Sequence, residues 1–418
     1  MQINELRGKI QIKLDQFTGK YKADFPRPEY KLIHQIIFGI LKSGSVQLSC
    51  ISRSLGEEIT QKKTTERLGR HLGKKDLWLK ITKTTIRNQS YYLKRCRYLI
   101  WDNSDIQKEY ATKMEGLGFV HDGSRDKIGQ GYNLCNIVGI GESGSSIIPI
   151  YSELYSMKKE STSENKKILE SMDRVSEQAR PDAIYVLDRG GDRRSIISPL
   201  LTKGRHFVIR QRGDRHLIYQ GKAMSVRDVS RMVKLKFSYT VTKKRNNRVV
   251  QEKYRCGAMR VRMGLKGELL WLVVVKEENK GYCWLLCHLP STRIKEAVDT
   301  AFKGYGYRWK IEELHREVKS DYLLESIRLQ RYEALKSLNA LFFSAMSFMY
   351  TRLDNLAKEI VFHPQLALAK KRKLKELLGF IYYKLAMGLR TLLAGVRLGD
   401  RIRYPNYSNQ LKLNFDAP

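Results

Sequence analysis

Long apolar runs are missing from this chain. No stretch of about 18 apolar residues occurs, which excludes a membrane-spanning helical protein. The first fourteen residues, MQINELRGKIQIKL, hold no apolar signal core. Cysteine is scarce as well. Six in 418 residues make no disulfide framework, so a reducing cytosol is expected. Cys283-x3-Cys287-His288 lacks the second ligand pair that a structural zinc site needs. Internal repeats and low-complexity tracts are absent. Negative charge is the scarcest property of all: 43 Asp and Glu stand against 78 Lys and Arg, a net of +35.

What is present is a foldable, strongly basic chain. An apolar fraction of 42% excludes an intrinsically disordered protein, and the length predicts two or three domains. The charge exceeds what solubility needs. It points to a polyanionic partner, nucleic acid before an anionic membrane surface. The excess is uneven. Residues 1–100 carry a net of +13, 101–200 a net of −3, 201–290 a net of +15, and 291–418 a net of +10. Ordinary sampling accounts for one acidic segment. So does a metal site, since bound cations invert the local charge logic.

Residues 1–90 read as helical. Val46 to Leu55 shows helical spacing and stops at Gly56, and Lys62 to Leu72 forms a basic second helix. The pair resembles a helix-turn-helix, and a generic helical bundle fits equally. From about 95 the pattern changes to strands. Tyr98 to Trp101 runs into Asp102. Leu134 to Ile140 and Ser146 to Tyr151 flank Gly141-Glu142-Ser143-Gly144 as a hairpin, which explains the Gly139-x-Gly141-x-x-Gly144 pattern better than a dinucleotide site. Glu164 to Gln178 reads as a helix, and Ala183 to Leu187 as a buried strand ending at Asp188. Ser195 to Lys203 is a short helix and His206 to Arg210 a further strand. Residues 212–290 resemble a basic antiparallel sheet, with Lys243 to Arg248 as a turn. Helix returns from Glu296 to about Ala394. Lys370-Lys371-Arg372-Lys373 reads as a solvated basic patch near DNA.

The stretch from Tyr305 to Lys319 carries the chemistry. On one helix, Tyr307, Ile311, Leu314 and Val318 form an apolar stripe. Tyr305, Arg308, Glu312, His315 or Arg316, and Lys319 form a polar one at spacings of three and four. Spacing alone leaves two readings: an exposed salt-bridged face, or a carboxylate set among phosphate-binding groups. Asp102 and Asp188 follow buried apolar strands, where a turn or helix cap is one reading and metal binding the other. Three such carboxylates can hold two divalent cations about 3.5–4 Å apart. Hard oxygen ligands suit Mg²⁺ or Mn²⁺.

The spacing Tyr305-x2-Arg308-x3-Glu312-x6-Lys319 resembles the YREK signature of bacterial insertion-sequence DDE transposases, in the insertion sequence four family. The resemblance runs from about residue 30 to about residue 360. It implies that Asp102, Asp188 (in Leu187-Asp188-Arg189) and Glu312 are the catalytic, metal-binding triad. It implies two Mg²⁺ ions, with Mn²⁺ as a substitute. Among DNA contacts it implies Arg210 and Arg212 after the second Asp, and Tyr305, Arg308, Trp309, Arg316 and Lys319 at the terminal phosphates. His315 lies near the scissile position by helical spacing. Trp284 resembles a Trp on which a flipped base stacks in hairpin-forming members, with core packing as the other reading.

The fold class so implied is α/β: an RNase H-like core interrupted by an inserted β-rich domain, with an N-terminal helical DNA-binding domain and C-terminal helices. The expected boundaries are 1–92 for DNA binding, 93–211 and 291–360 for the two parts of the core, 212–290 for the insertion, and 361–418 for a C-terminal helical region that dimerises or contacts DNA. The expected activity is binding of terminal inverted repeats, cleavage by two-metal hydrolysis, with a hairpin intermediate if Trp284 stacks a flipped base, and joining of 3′-OH ends to target DNA. Double-stranded DNA is the partner, with a homodimer on paired ends and no membrane. A bacterial cytoplasmic, nucleoid-associated location follows. The rival readings are a catalytically silent DNA-binding relative and an RNase H-like nuclease without strand transfer.

Overall fold

The computed structural model describes residues 2–122, 127–141, 144, 147–245, 248–264, 267–278, 280–366, 368 and 381–398. The basic run Lys370 to Lys373 and most of 361–418 lie outside these residues. The chain divides into two compact units, Met1–Thr84 with Glu317–Pro418, and Thr85–Arg316. Among the described residues, no helix is long and apolar enough to cross a membrane.

The first unit is helical. Its N-terminal part holds α1 (Ile3–Gly19), α2 (Arg27–Ser43), α3 (Leu48–Leu55), α4 (Gln61–Leu72) and the start of α5 (Leu77–Asn88). α3 ends where Gly56 adopts a left-handed conformation, φ 65°, which glycine reaches without a Cβ clash. The hydroxyl of Thr60 caps α4 by accepting the Lys63 N–H. α4 buries Thr64, Leu68 and Leu72 and exposes Lys62, Lys63, Glu66 and Arg70.

The second unit is built on one mixed sheet. After the short α6 (Ser90–Leu93) come β1 (Tyr98–Gln107), β2 (Gly118–Asp122), β3 (Lys127–Ile140) and β4 (Ile147–Tyr155). α7 (Glu164–Ser176), β5 (Ile184–Leu187), α8 (Arg194–Thr202) and β6 (His206–Arg210) follow. β4, β3 and β1 are antiparallel neighbours, and β5 and β6 continue from β1 in parallel. Parallel strands are covered on both faces, which is why β5 reads as an unbroken apolar run. α7 buries Ile168, Met172 and Val175. These join Leu99, Trp101, Tyr185 and Leu187 in one core cluster.

The β-rich segment holds β7 (His216–Tyr219), β8 (Lys222–Ser225), α9 (Val226–Arg231), β9 (Phe237–Arg245), β10 (Arg248–Arg262), β11 (Leu269–Glu277) and β12 (Tyr282–His288). It is antiparallel, and β12 pairs with β6, so its strands extend the core sheet. α10 (Ile294–Gly306) and α11 (Trp309–Ser320) follow. The C-terminal helices of the first unit are α12 (Tyr332–Arg352), α13 (Asp354–Val361) and α14 (Ile381–Leu393). α12 is buried along nearly its whole length. It packs on α1, α2, α4 and α13, for example through Phe348 against Phe17.

Two local expectations need correction. β1 does not end at Trp101. Its antiparallel ladder with β3 runs on to Gln107, and only the parallel ladder with β5 stops, at Ile100 opposite Val186. Backbone pairing with β3 carries the polar residues that hydropathy reads as a strand end. Tyr305 to Lys319 is also not one helix. The glycines of α10's last turn weaken it, and three-residue hydrogen bonds mark the break. Arg308 N–H donates to Tyr305 O at 3.1 Å, and Lys310 N–H to Tyr307 O at 3.0 Å. Tyr307 therefore packs on Tyr98 instead of heading the apolar stripe, and Ile311, Leu314 and Val318 remain buried.

Candidate active site

The site lies where the parallel strands end. Beyond Ile100 the parallel ladder is gone, and Asp102 stands on β1 facing that opening. Asp188 follows the last residue of β5 and caps a short helical turn by accepting the Arg189 N–H. Arg210 closes β6. Crevices at the carboxyl ends of parallel strands are the usual ligand position in open α/β sheets. α11 adds Glu312 and His315, and the break before it releases Arg308 toward the carboxylates.

Arg308 is the hub. Its Nη1 lies 2.5 Å from Glu312 Oε1 and 3.8 Å from Asp188 Oδ2. Its guanidinium also stands 5.9 Å from the Tyr305 ring centre. Burial works against its charge, but Tyr305, Glu312 and Asp188 outweigh that and hold it firmly protonated. The Tyr305 hydroxyl accepts from Arg210 Nη1 at 3.4 Å. Burial, helped by Asp188, pushes the Tyr305 pKa up to about 12, so it stays a neutral donor.

Asp102 carries the strongest electrostatic signal. Burial pushes its carboxyl up to about 7; Arg308 opposes this, while Asp188 and Glu312 add to it. Three carboxylates thus converge closely enough to resist joint ionisation. His315 Nδ1 lies 4.0 Å from Asp102 Oδ2. Its Nε2 meets the side-chain amide of Asn136 at 3.0 Å. Asn136 sits directly opposite Asp102 in the β1–β3 register and is buried.

Among the described residues, no group of three or more His, Cys, Asp or Glu is arranged to hold a metal ion. The chemistry of the donor set nevertheless fits a divalent cation. The side chains that would hold it, Asp102, Asp188 and Glu312, offer oxygens and repel one another, and a guanidinium bridges two of them.

The structure thus brings together Asp102, Asp188, Glu312, Arg210, Tyr305, Arg308 and His315. Trp284 lies on β12 beside them, partly buried against the core cluster. Its ring rests on Gly213, whose φ is 95°. Gln211 N–H donates to the Trp284 carbonyl at 2.9 Å, while the indole N–H is buried without a partner among the described residues. Arg212 turns its side chain to solvent and uses its backbone N–H on Asp192 at 3.0 Å. Trp309 and Arg316 are exposed at the start and middle of α11. Lys319 belongs to the other unit, where it pairs with Glu325 at 3.4 Å.

Sequence reasoning missed four contributors. Asn136 was visible as a lone amide in the apolar run Leu134 to Ile140. Cys283 neighbours the cluster, and burial pushes its thiol up to about 11, with Arg210 and Asp188 next in influence. Asp192 pins the loop after Asp188 by ion-pairing with Arg215. Gly213 supports Trp284. Neither Asp192 nor Gly213 had a local sequence signal, because both act across long separations.

Residues 152–348, just under half of the chain, match a family model described as Transposase DDE domain. The matched stretch contains Asp188, Glu312 and every basic or aromatic site residue named above; it starts after Asp102. No curated protein matches the chain. The family match supports a transposase of the DDE type.

Proposed function

We propose that this chain is an insertion-sequence DDE transposase of the insertion sequence four type, carrying the YREK signature. One observation carries the reading: Asp102, Asp188 and Glu312 converge around Arg308 at the open end of the parallel strands, in a chain matching a transposase DDE domain. The strand order β4-β3-β1-β5-β6, three antiparallel and two parallel, supports an RNase H-like core.

Asp102, Asp188 and Glu312 would hold two Mg²⁺ ions, which Mn²⁺ can replace. When bound, such a pair activates a water or 3′-hydroxyl and stabilises the leaving oxygen. The protein's own groups do the rest. Arg308 exchanges its carboxylates for the scissile phosphate, where its planar fork suits two oxygens at once. Arg210 and Tyr305 donate to the same phosphate. Asn136 and Asp102 fix the His315 ring. Trp284 offers an aromatic edge on which an extruded base stacks, worth about 1–3 kcal/mol, which favours a hairpin route for the second strand. Arg212, Trp309, Arg316 and Lys319 contact flanking phosphates, and the +35 charge steers DNA non-specifically. Paired ends call for a DNA-bound homodimer, in a bacterial cytoplasm at the nucleoid.

The substrate for the test is a duplex carrying the inverted repeats that flank the gene. Asp188→Asn should abolish Mg²⁺-dependent nicking and leave end binding intact. Nicking that survives the substitution refutes the assignment. Pre-cleaved ends should yield joined products on a gel; hydrolysis without joining identifies a nuclease, and binding without either identifies a silent relative.

A further inference from the structure

One feature of the second unit has no place in this chemistry. Beyond Asp102, β1 continues to Gln107, and β2 and the first part of β3 form a ribbon alongside it. β2 is the last strand on its side of the sheet. One face of this ribbon is closed: Val120 is buried, and a Cβ on Gly131 would lie 3.0 Å from it. The other face is open. Phe119 is 76% exposed, Ile128 75% exposed, and Tyr110 in the preceding loop 90% exposed. Phe119 and Ile128 lie on the same face of the ribbon, two large apolar side chains left to solvent side by side, and such a patch calls for a partner.

Charge selects the partner. Residues 107–133 hold four basic and four acidic residues, so they are neutral in a chain of +35. A DNA-binding surface collects cations; this one does not. Two copies of this chain repel each other through the strongly basic segments 1–100, 201–290 and 291–418, and a neutral apolar face is where they can approach. The pairing pattern is also self-complementary. Phe119 faces Gln130 across the ribbon, and His121 faces Ile128, so the apolar residues occupy one diagonal and the polar residues the other. A two-fold axis along the His121–Gln130 diagonal sets Phe119 over Ile128 of the partner subunit, and the reverse. That is the geometry of an isologous contact.

We infer that the outer face of the β2–β3 ribbon, centred on Phe119 and Ile128, is a contact between two copies of this chain. The patch is small against the roughly 1,200 Å² that a stable interface buries, so it acts once charge repulsion is relieved. Salt relieves it: at 1 M the screening length falls to about 3 Å, and apolar contact is not weakened.

The test is sedimentation velocity of the full chain without DNA at 0.15 M and 1 M NaCl. Self-association should strengthen at least tenfold at the higher salt. Phe119→Glu and Ile128→Glu should each remove that gain, while Phe119→Leu keeps it; circular dichroism checks that all three fold. Three results overturn the inference: no association at 1 M salt, association that weakens with salt, or association unchanged in both Glu variants. Loss of affinity for a generic 30-base-pair duplex in Phe119→Glu, with self-association intact, also overturns it and makes the ribbon a DNA wedge. The outcome is independent of catalysis, so it stands or falls apart from the transposase assignment.

Discussion

Asp102 makes the site's energetics measurable through pH. Its carboxyl titrates near 7 in the fold, against an ordinary value near 3.9 in the unfolded chain. The native state therefore holds a proton that the unfolded state has lost between those values. Stability falls as pH rises from about 4 to about 7 and is flat above that. Ionising the folded carboxyl instead of the free one costs about 4 kcal/mol in full. Between pH 5 and pH 8 the change is about 2–3 kcal/mol, since part of the effect already acts at pH 5. Asp102→Asn has nothing to ionise and lacks this slope. Other groups titrate alike in both proteins, so the difference between their thermal midpoints isolates Asp102. For a unit of this size, that difference should grow by about 5–10 °C from pH 5 to pH 8 without divalent cations. Adding Mg²⁺ at pH 8 should raise the wild-type midpoint and leave the variant nearly unmoved. Parallel pH curves for the two proteins would refute the burial of Asp102 beside Asp188 and Glu312.

Two structural predictions accompany this one. Gly213→Ala places a Cβ 2.6 Å from Trp284 Cζ3 at a φ of 95°, where L side chains are strained. It should cost about 1–3 kcal/mol and shift the tryptophan emission; an unchanged spectrum and melt would separate Gly213 from Trp284. Lys167→Met strips the cation from buried Glu153, which Lys167 meets at 2.6 Å, and from Glu160 at 2.6 Å. Arg174, at 3.0 Å, and the Tyr151 hydroxyl then remain among the partners of Glu153. The loss should be about 3–5 kcal/mol in urea unfolding, and a loss under 1 kcal/mol would show that the cluster rearranges.

The legible parts of this molecule were the ones written locally. β5, α7 and β6 follow from short apolar runs and helical spacing within a few residues. The acidic segment and the Tyr-Arg-Glu-Lys spacing pointed to Asp102, Asp188 and Glu312, side chains that the fold brings into electrostatic contact. What escaped depends on neighbours distant in sequence. Nothing near Asp102 announces that β3 carries its strand five residues further, because the partner, not the strand's own hydropathy, supplies the hydrogen bonds. The break at Tyr307 and Arg308 was disguised because the apolar spacing of Ile311, Leu314 and Val318 extends back onto Tyr307, although Gly304 and Gly306 before it weaken the helix. Asn136 reaches His315 across 179 positions, and the register that sets it opposite Asp102 is a property of the folded sheet.

The break before α11 matters more than its length suggests. In one continuous helix, Arg308 and Glu312 would be an exposed i, i+4 pair, worth a few tenths of a kcal/mol and of little functional weight. With the helix restarted at Trp309, Arg308 stands at its mouth between Asp188 and Glu312, mostly buried. A guanidinium there offsets the negative charge of both carboxylates. It also opposes the rise that burial imposes on Asp102, whose carboxyl still stands near 7. Were Asp102, Asp188 and Glu312 to hold a divalent ion, it would compete with Arg308 for Asp188 and Glu312, and the guanidinium so released would be available to a phosphate. Cation loading and phosphate capture would then be coupled through one side chain, whose place is set by a two-residue interruption of a helix.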